Sequence, residues 1–131
     1  MQNRAVYILV SMALGGLLDI RPIRGDSPAE PPRVTLYAAE VRPGEAWRQA
    51  EARGEQPDLS RHREYSAELR RRGKIVMAGP FADGSGGLII LRAESLEEAK
   101  SLLEKDPAVV EGVFTTELRP WLVQAGDLER R

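Results

Sequence analysis

A chain of 131 residues has room for one hydrophobic core and not for two. Its net charge of -1 gives no long-range pull on phosphate backbones, which argues against nucleic acid as a partner. Cysteine is absent and His62 is the single histidine, so disulfides, thiolate metal sites and cysteine nucleophiles are excluded, and no metal or other cofactor is expected.

In chain order, residues 1–18 come first: a cation at Arg4 and then an apolar run from Ala5 to Leu18. The run is too short for a stable membrane span but has the length of a signal-peptide core, so export to the periplasm or outside is expected. An uncleaved extension, or a start at Met12 that leaves a cytoplasmic chain, is the alternative. Residues 19–33 carry Pro22, Pro28, Pro31 and Pro32 among arginines and acidic residues, the composition of an extended linker.

The folded domain is expected over residues 34–123. Val34 to Val41 reads as its first strand, closed by Arg42-Pro43-Gly44. Glu45 to Gln56 lacks a firm period and reads as a loop with one helical turn at most, anchored by Trp47. That tryptophan either caps the core or forms one wall of a ligand pocket. Pro57-Asp58 starts a helix that stops at Gly73, after the basic turn Arg70-Arg71-Arg72. Leu59, His62, Ser66 and Leu69 recur at helical spacing, which points His62 toward the sheet with Tyr65 beside it.

Two short apolar strands, Lys74–Met77 and Leu88–Leu91, flank the glycine-rich turn from Ala78 to Gly87. Such a turn suits a hairpin and equally suits close approach of a ligand, with Gly79, Pro80 and Phe81 at its start. Asp83 within it is most simply a turn former. Ser95-Leu96-Glu97-Glu98 is a capping box opening a second helix, whose buried face is Leu96, Ala99, Leu102 and Leu103. That helix ends at Lys105-Asp106-Pro107. Asp106 sits at the dipole end that disfavours a carboxylate, which hints at function, although Asp-Pro also caps a short turn from Pro107 to Glu111. Val113 to Leu118 is the last strand, ended by Arg119-Pro120-Trp121, and residues 124–131 form a polar tail.

Strand, helix, strand, strand, helix, strand is the ferredoxin-like βαββαβ order, an α+β fold with a four-stranded antiparallel sheet. Both helices cover one face of the sheet. The other, fed by apolar strands, would be left in water in a monomer, so a homodimer with sheets packed face to face is expected.

Several motifs in this order carry a resemblance: His62-Arg63-Glu64-Tyr65, Gly73 through Phe81, Gly86-Gly87, Glu97-Glu98-Ala99, Asp106-Pro107, Gly112-Val113-Phe114 and Arg119-Pro120-Trp121. Over about Val34 to Val123 the chain resembles the YCII-related (YciI-like) family. The resemblance implies a dimeric α+β barrel, with His62 and Asp106 matching the family's active-site pair and Gly79 and Pro80 its glycine-proline turn. It also implies exported relatives. One branch is similar to dehydrochlorinases of hydroxylated aromatic rings, and the wider superfamily includes lactone isomerases.

A carboxylate bonded to one ring nitrogen fixes the tautomer of a histidine and raises the basicity of the other nitrogen. The expectation is therefore a small cofactor-free lyase or isomerase. His62 removes a proton beside a carbonyl or from a hydroxylated ring, amides near Gly79 to Phe81 steady the charge that forms, and Tyr65, Phe81 and Trp47 contact the ligand. A non-catalytic module binding a small ligand in the same pocket is the alternative.

Overall fold

A computed structural model describes residues 30–129. The expected signal segment, residues 19–29 of the linker and the last two residues of the tail lie outside them. Four strands, β1 (Arg33–Pro43), β2 (Ile75–Pro80), β3 (Gly87–Leu91) and β4 (Phe114–Gln124), form one antiparallel sheet in the order β2-β3-β1-β4. The ferredoxin-like pattern expected from the sequence is the one observed. Two principal helices, α2 (Ser60–Arg71) and α3 (Leu96–Glu104), supply the crossovers, with α1 (Glu45–Ala52) ahead of α2 and a short α4 (Pro107–Val110) after α3.

Period-2 alternation separates the faces of the sheet. Tyr37, Ala39, Ile75 and Leu91 pack with Leu69 of α2 and with Ala99, Leu102 and Leu103 of α3 in one core. Leu36 and Ile90, out of phase with them, belong to the second face, as do Met77, Leu88 and Trp121 by their register. Leu96, expected on the buried side of α3, is 40% exposed. Among the described residues, no helix is long and apolar enough to cross a membrane.

Three local expectations are revised. The stretch after Gly44 is an eight-residue helix, α1, and not a loop with a single turn. Its support is partly local, since Arg48 and Gln49 both donate to Glu45, and partly distant. Gly44 N–H donates to the Val113 carbonyl and Ala46 N–H to that of Gly112, docking the helix start on the turn before β4. A Cβ at Gly44 would lie 2.1 Å from the Gly112 carbonyl oxygen, so only glycine permits this approach.

β4 does not stop at Arg119-Pro120-Trp121 but runs to Gln124, with Pro120 opposite Tyr37. Being at the sheet edge, the strand tolerates a residue without an N–H because that side has no neighbour to bond. The first residues of the polar tail form a short helix, α5 (Ala125–Glu129), tied back by Ala125 N–H to the Pro32 carbonyl.

The cap of α3 forms as expected on one side, with Ser95 Oγ accepting from Glu98 N–H at 3.1 Å. Glu98 reaches back one residue further than a capping box requires, to the Glu94 amide at 2.7 Å, and also accepts from Lys74 Nζ at 2.5 Å. Those partners hold its carboxyl below the usual glutamate range, the lysine more than the amide.

The β2–β3 turn is built by its own groups. Phe81 N–H donates to the Gly86 carbonyl at 2.8 Å, Gly84 N–H to the Phe81 carbonyl at 3.0 Å, and Asp83 accepts from the Ser85 amide and hydroxyl. Gly86 has φ +151°, and a Cβ there would lie 2.1 Å from the Val41 carbonyl oxygen. Gly86→Ala must therefore push the turn off β1. We expect a loss of about 2 kcal/mol or more, read as a lowered urea midpoint; an unchanged midpoint would show that the turn yields freely.

Candidate functional site

Between α2 and the helix-covered face of the sheet, under the β2–β3 turn, lies a cleft of about 770 Å3. Its walls are largely apolar: Val41, Ile75, Ile89, Leu103, Val109 and Phe114. The α2 face that borders it repeats at three and four residues, bringing Leu59, His62, Arg63, Ser66, Ala67 and Arg70 to one side. The stripe expected from the sequence thus exists, and His62 is on it.

His62 Nδ1 lies 2.7 Å from Asp106 Oδ2. The two side chains are 21% and 7% exposed, so the contact is largely shielded from solvent. Asp106 is the one buried charged residue among those described. Burying a carboxylate is costly unless its oxygens are satisfied. Both are: Oδ1 accepts from Ala108 N–H at 2.9 Å, capping α4, and Oδ2 faces the histidine. The capping and functional readings of Asp106 are therefore compatible, one oxygen to each. An ionised carboxylate only accepts, so Nδ1 is the donor in this contact, and in the neutral imidazole Nε2 is then the nitrogen with the lone pair.

Aromatic packing fixes the imidazole. Phe114, the first residue of β4, meets the His62 ring edge to face, with centroids 5.2 Å apart and planes at 82°. Trp47 of α1 stacks on Phe114 at 5.8 Å and 22°. Trp47 thereby belongs to the cleft wall and reaches the histidine through Phe114.

Of the other residues expected at the site, Gly79 and Pro80 line the cleft. Phe81 and Tyr65 are not among its lining residues. Phe81 closes the turn through its backbone, so its amide is committed to Gly86 and is not aimed at a ligand. The Tyr65 hydroxyl donates to the Leu102 carbonyl at 2.8 Å, tying α2 to α3. Burial, and then the Asp106 carboxylate, push the Tyr65 phenol up, which keeps it protonated as that donor.

Among the cleft residues that the sequence did not mark as site residues are Phe114, Arg63 and Arg70. The arginines carried a signal, since they share the helical phase of Ser66 and Ala67. Phe114 carried only strand alternation, which gives no face until the register is known. Among the described residues, no group of three or more metal-ligating side chains converges.

The four-stranded antiparallel sheet with its helices places the chain in the ferredoxin-like α+β class. Residues 37–122 match the YCII-related domain, and the chain belongs to that family. It is similar to the uncharacterized protein YjpA of Bacillus subtilis (strain 168), with 33% identity over 66 residues, 50% of this chain and 78% of that protein. In structure it is similar to 5-chloro-2-hydroxyhydroquinone dehydrochlorinase (TftG) from Burkholderia phenoliruptrix AC1100, solved in complex with 2,5-dihydroxybenzoquinone. That match has a TM-score of 0.50 and 25% identity, covering 66% of this chain and 92% of that one.

Proposed function

We propose that this chain is a small cofactor-free enzyme in which His62 is the general base and Asp106 the group that orients it. The observation that carries the reading is the 2.7 Å contact between His62 Nδ1 and a buried carboxylate, at the wall of an apolar cleft. A base of this kind moves a proton from a ring hydroxyl or from carbon beside a carbonyl. The likeness to a dehydrochlorinase supports a hydroxylated ring as substrate.

A chlorinated hydroxyhydroquinone would lose HCl in two steps. His62 Nε2 takes a ring hydroxyl proton, and that proton is delivered to the chlorinated carbon, giving a keto tautomer. Chloride then leaves with the C–Cl bonding pair as a second hydroxyl proton is removed, leaving a quinone. The net change is loss of one proton and one chloride, with no external oxidant. Val41, Ile89 and Phe114 would hold the ring, and Trp47, Gly79 and Pro80 would close its edges.

The test is incubation of the chain with 5-chloro-2-hydroxyhydroquinone without oxygen, following chloride and quinone together. The expected result is equimolar release of both, faster than in buffer alone. No acceleration overturns the ring elimination.

The second face of the sheet supports a homodimer. Met77, Leu88 and Trp121 on it are 56%, 38% and 46% exposed in a single chain. Contiguous large apolar side chains on a sheet face are uncommon in monomers. Sedimentation equilibrium should return twice the chain mass, and a monomer at tens of micromolar would remove this part of the proposal.

A further inference from the structure

The arginines of α2 divide by face. Those turned away from the cleft are neutralised: Arg61 pairs with Glu111 at 2.6 Å and Arg71 with Glu68 at 2.6 Å. Arg63 and Arg70, which line the cleft, make no ion pair or side-chain hydrogen bond with any described residue. Arg42, out of phase with Val41 and so on the second face of the sheet by register, is held by Glu40 at 2.8 Å, with Glu117 at 4.0 Å. The single carboxylate among the lining residues is Asp106, and both of its oxygens are engaged. Arg63 has a through-space partner in Asp58, whose carboxyl it helps to hold low, but among the described residues neither Arg63 nor Arg70 has a direct ion pair, so the α2 wall of the cleft keeps two cations free to meet an anion.

Their placement is specific. Arg63 and Arg70 stand two helical turns apart, about 10 Å along the axis. Between them on the same face are Ser66 and Ala67, whose short side chains leave a gap that the two long arginine stems flank. His62 lies at the Arg63 end of this row. The opposite wall, with Val41, Ile89 and Phe114, is apolar and suits a flat ring.

We propose that Arg63 and Arg70 form an anion subsite, and that the substrate is a hydroxylated ring bearing a carboxylate. The ring lies against the sheet, its carboxylate over the Ser66–Ala67 gap and its reacting hydroxyl toward His62. Planar guanidinium groups match a planar carboxylate by paired N–H···O bonds, which a lysine pair would not reproduce. The inference deepens the proposed function and rests on it for the location of the reacting atoms.

The experiment compares 2,5-dihydroxybenzoate with 2,5-dihydroxybenzamide, the same ring with and without the charge. Binding is followed by NMR at the His62 ring and the Trp47 indole. The native chain should bind the benzoate at least about tenfold more tightly than the amide. Arg63→Gln with Arg70→Gln should erase that preference and leave amide affinity within about twofold, while Arg61→Gln, on the outer face, should retain it.

The titration is repeated in His62→Asn, which separates this inference from catalysis. A preference that survives there keeps the anion subsite even if no turnover is ever found. Equal binding of the two probes by the native chain overturns the inference. So does absence of saturable benzoate binding, a preference that persists in the double arginine variant, or one that disappears with His62 alone.

Discussion

His62→Asn is expected to lower turnover of the ring substrate by about 10²- to 10⁴-fold, the range that a positioned general base contributes. Asparagine is the informative replacement because its amide can still donate to Asp106 Oδ2, so the buried carboxylate keeps a partner. Alanine would leave that oxygen unsatisfied and add about 1–3 kcal/mol of instability to the loss of the base. Rates should be compared at equal folded fraction, with the thermal midpoint of His62→Asn close to that of the parent. Activity within threefold of the parent would show that the proton goes to some other group.

Asp106 is expected to give two different defects from two substitutions, because its oxygens have different duties. Asp106→Ala removes the α4 cap and the histidine partner together. A lost cap costs about 1 kcal/mol and a lost buried hydrogen bond about as much again. A total of about 2 kcal/mol or more, read from urea unfolding, is the expected outcome.

Asp106→Asn keeps an oxygen for the Ala108 amide but turns an N–H₂ toward His62. The imidazole then favours the opposite tautomer, with Nδ1 as acceptor and the proton on Nε2, where it blocks proton abstraction. Turnover should fall by 10²-fold or more with little loss of stability, following the tautomer logic of the aspartate in serine-protease triads. Imidazole nitrogen shifts report the tautomer directly. If Asp106→Asn leaves both the shifts and the rate unchanged, Asp106 is a cap and nothing else.

The parts of the fold that were legible in the sequence are those whose cause is local. Ile75, Val76, Leu88, Ile89 and Ile90 are branched or long apolar side chains next to glycines, and they became strands. Ser95 and Glu98 marked the start of α3 because capping is settled within one turn. His62 was legible through helical spacing, and Asp106 through its Asp-Pro step and the family motifs.

What was not legible depends on distant contacts. α1 buries only Ala50, and its start is held by backbone groups of Gly112 and Val113, which no periodicity within α1 reveals. Pro120 reads as a stop unless β4 is known to lie at the sheet edge, a property of strand order. Phe81 and Tyr65 looked like site residues from their neighbours in sequence, whereas the turn and Leu102 claim their polar groups. Helical phase places Arg63 and Arg70 beside Ser66 and Ala67, but their lack of a direct partner shows only once Glu68 and Glu111 are seen to pair with the other arginines.

The long pairing of β1 with β4 bears on how this domain can be joined to others. Arg33 lies opposite Gln124 at one end of the ladder and Pro43 opposite Phe114 at the other. The cleft opens toward the Pro43–Phe114 end, whereas the chain enters and leaves the described domain at the other end of a ladder about 30 Å long. Entry and exit are also adjacent, with Ala125 bonded to Pro32. The domain is thus built like a plug whose leads emerge together on the far side from its contacts. A leader, an anchor or a fused partner can be attached to those leads without approaching the histidine.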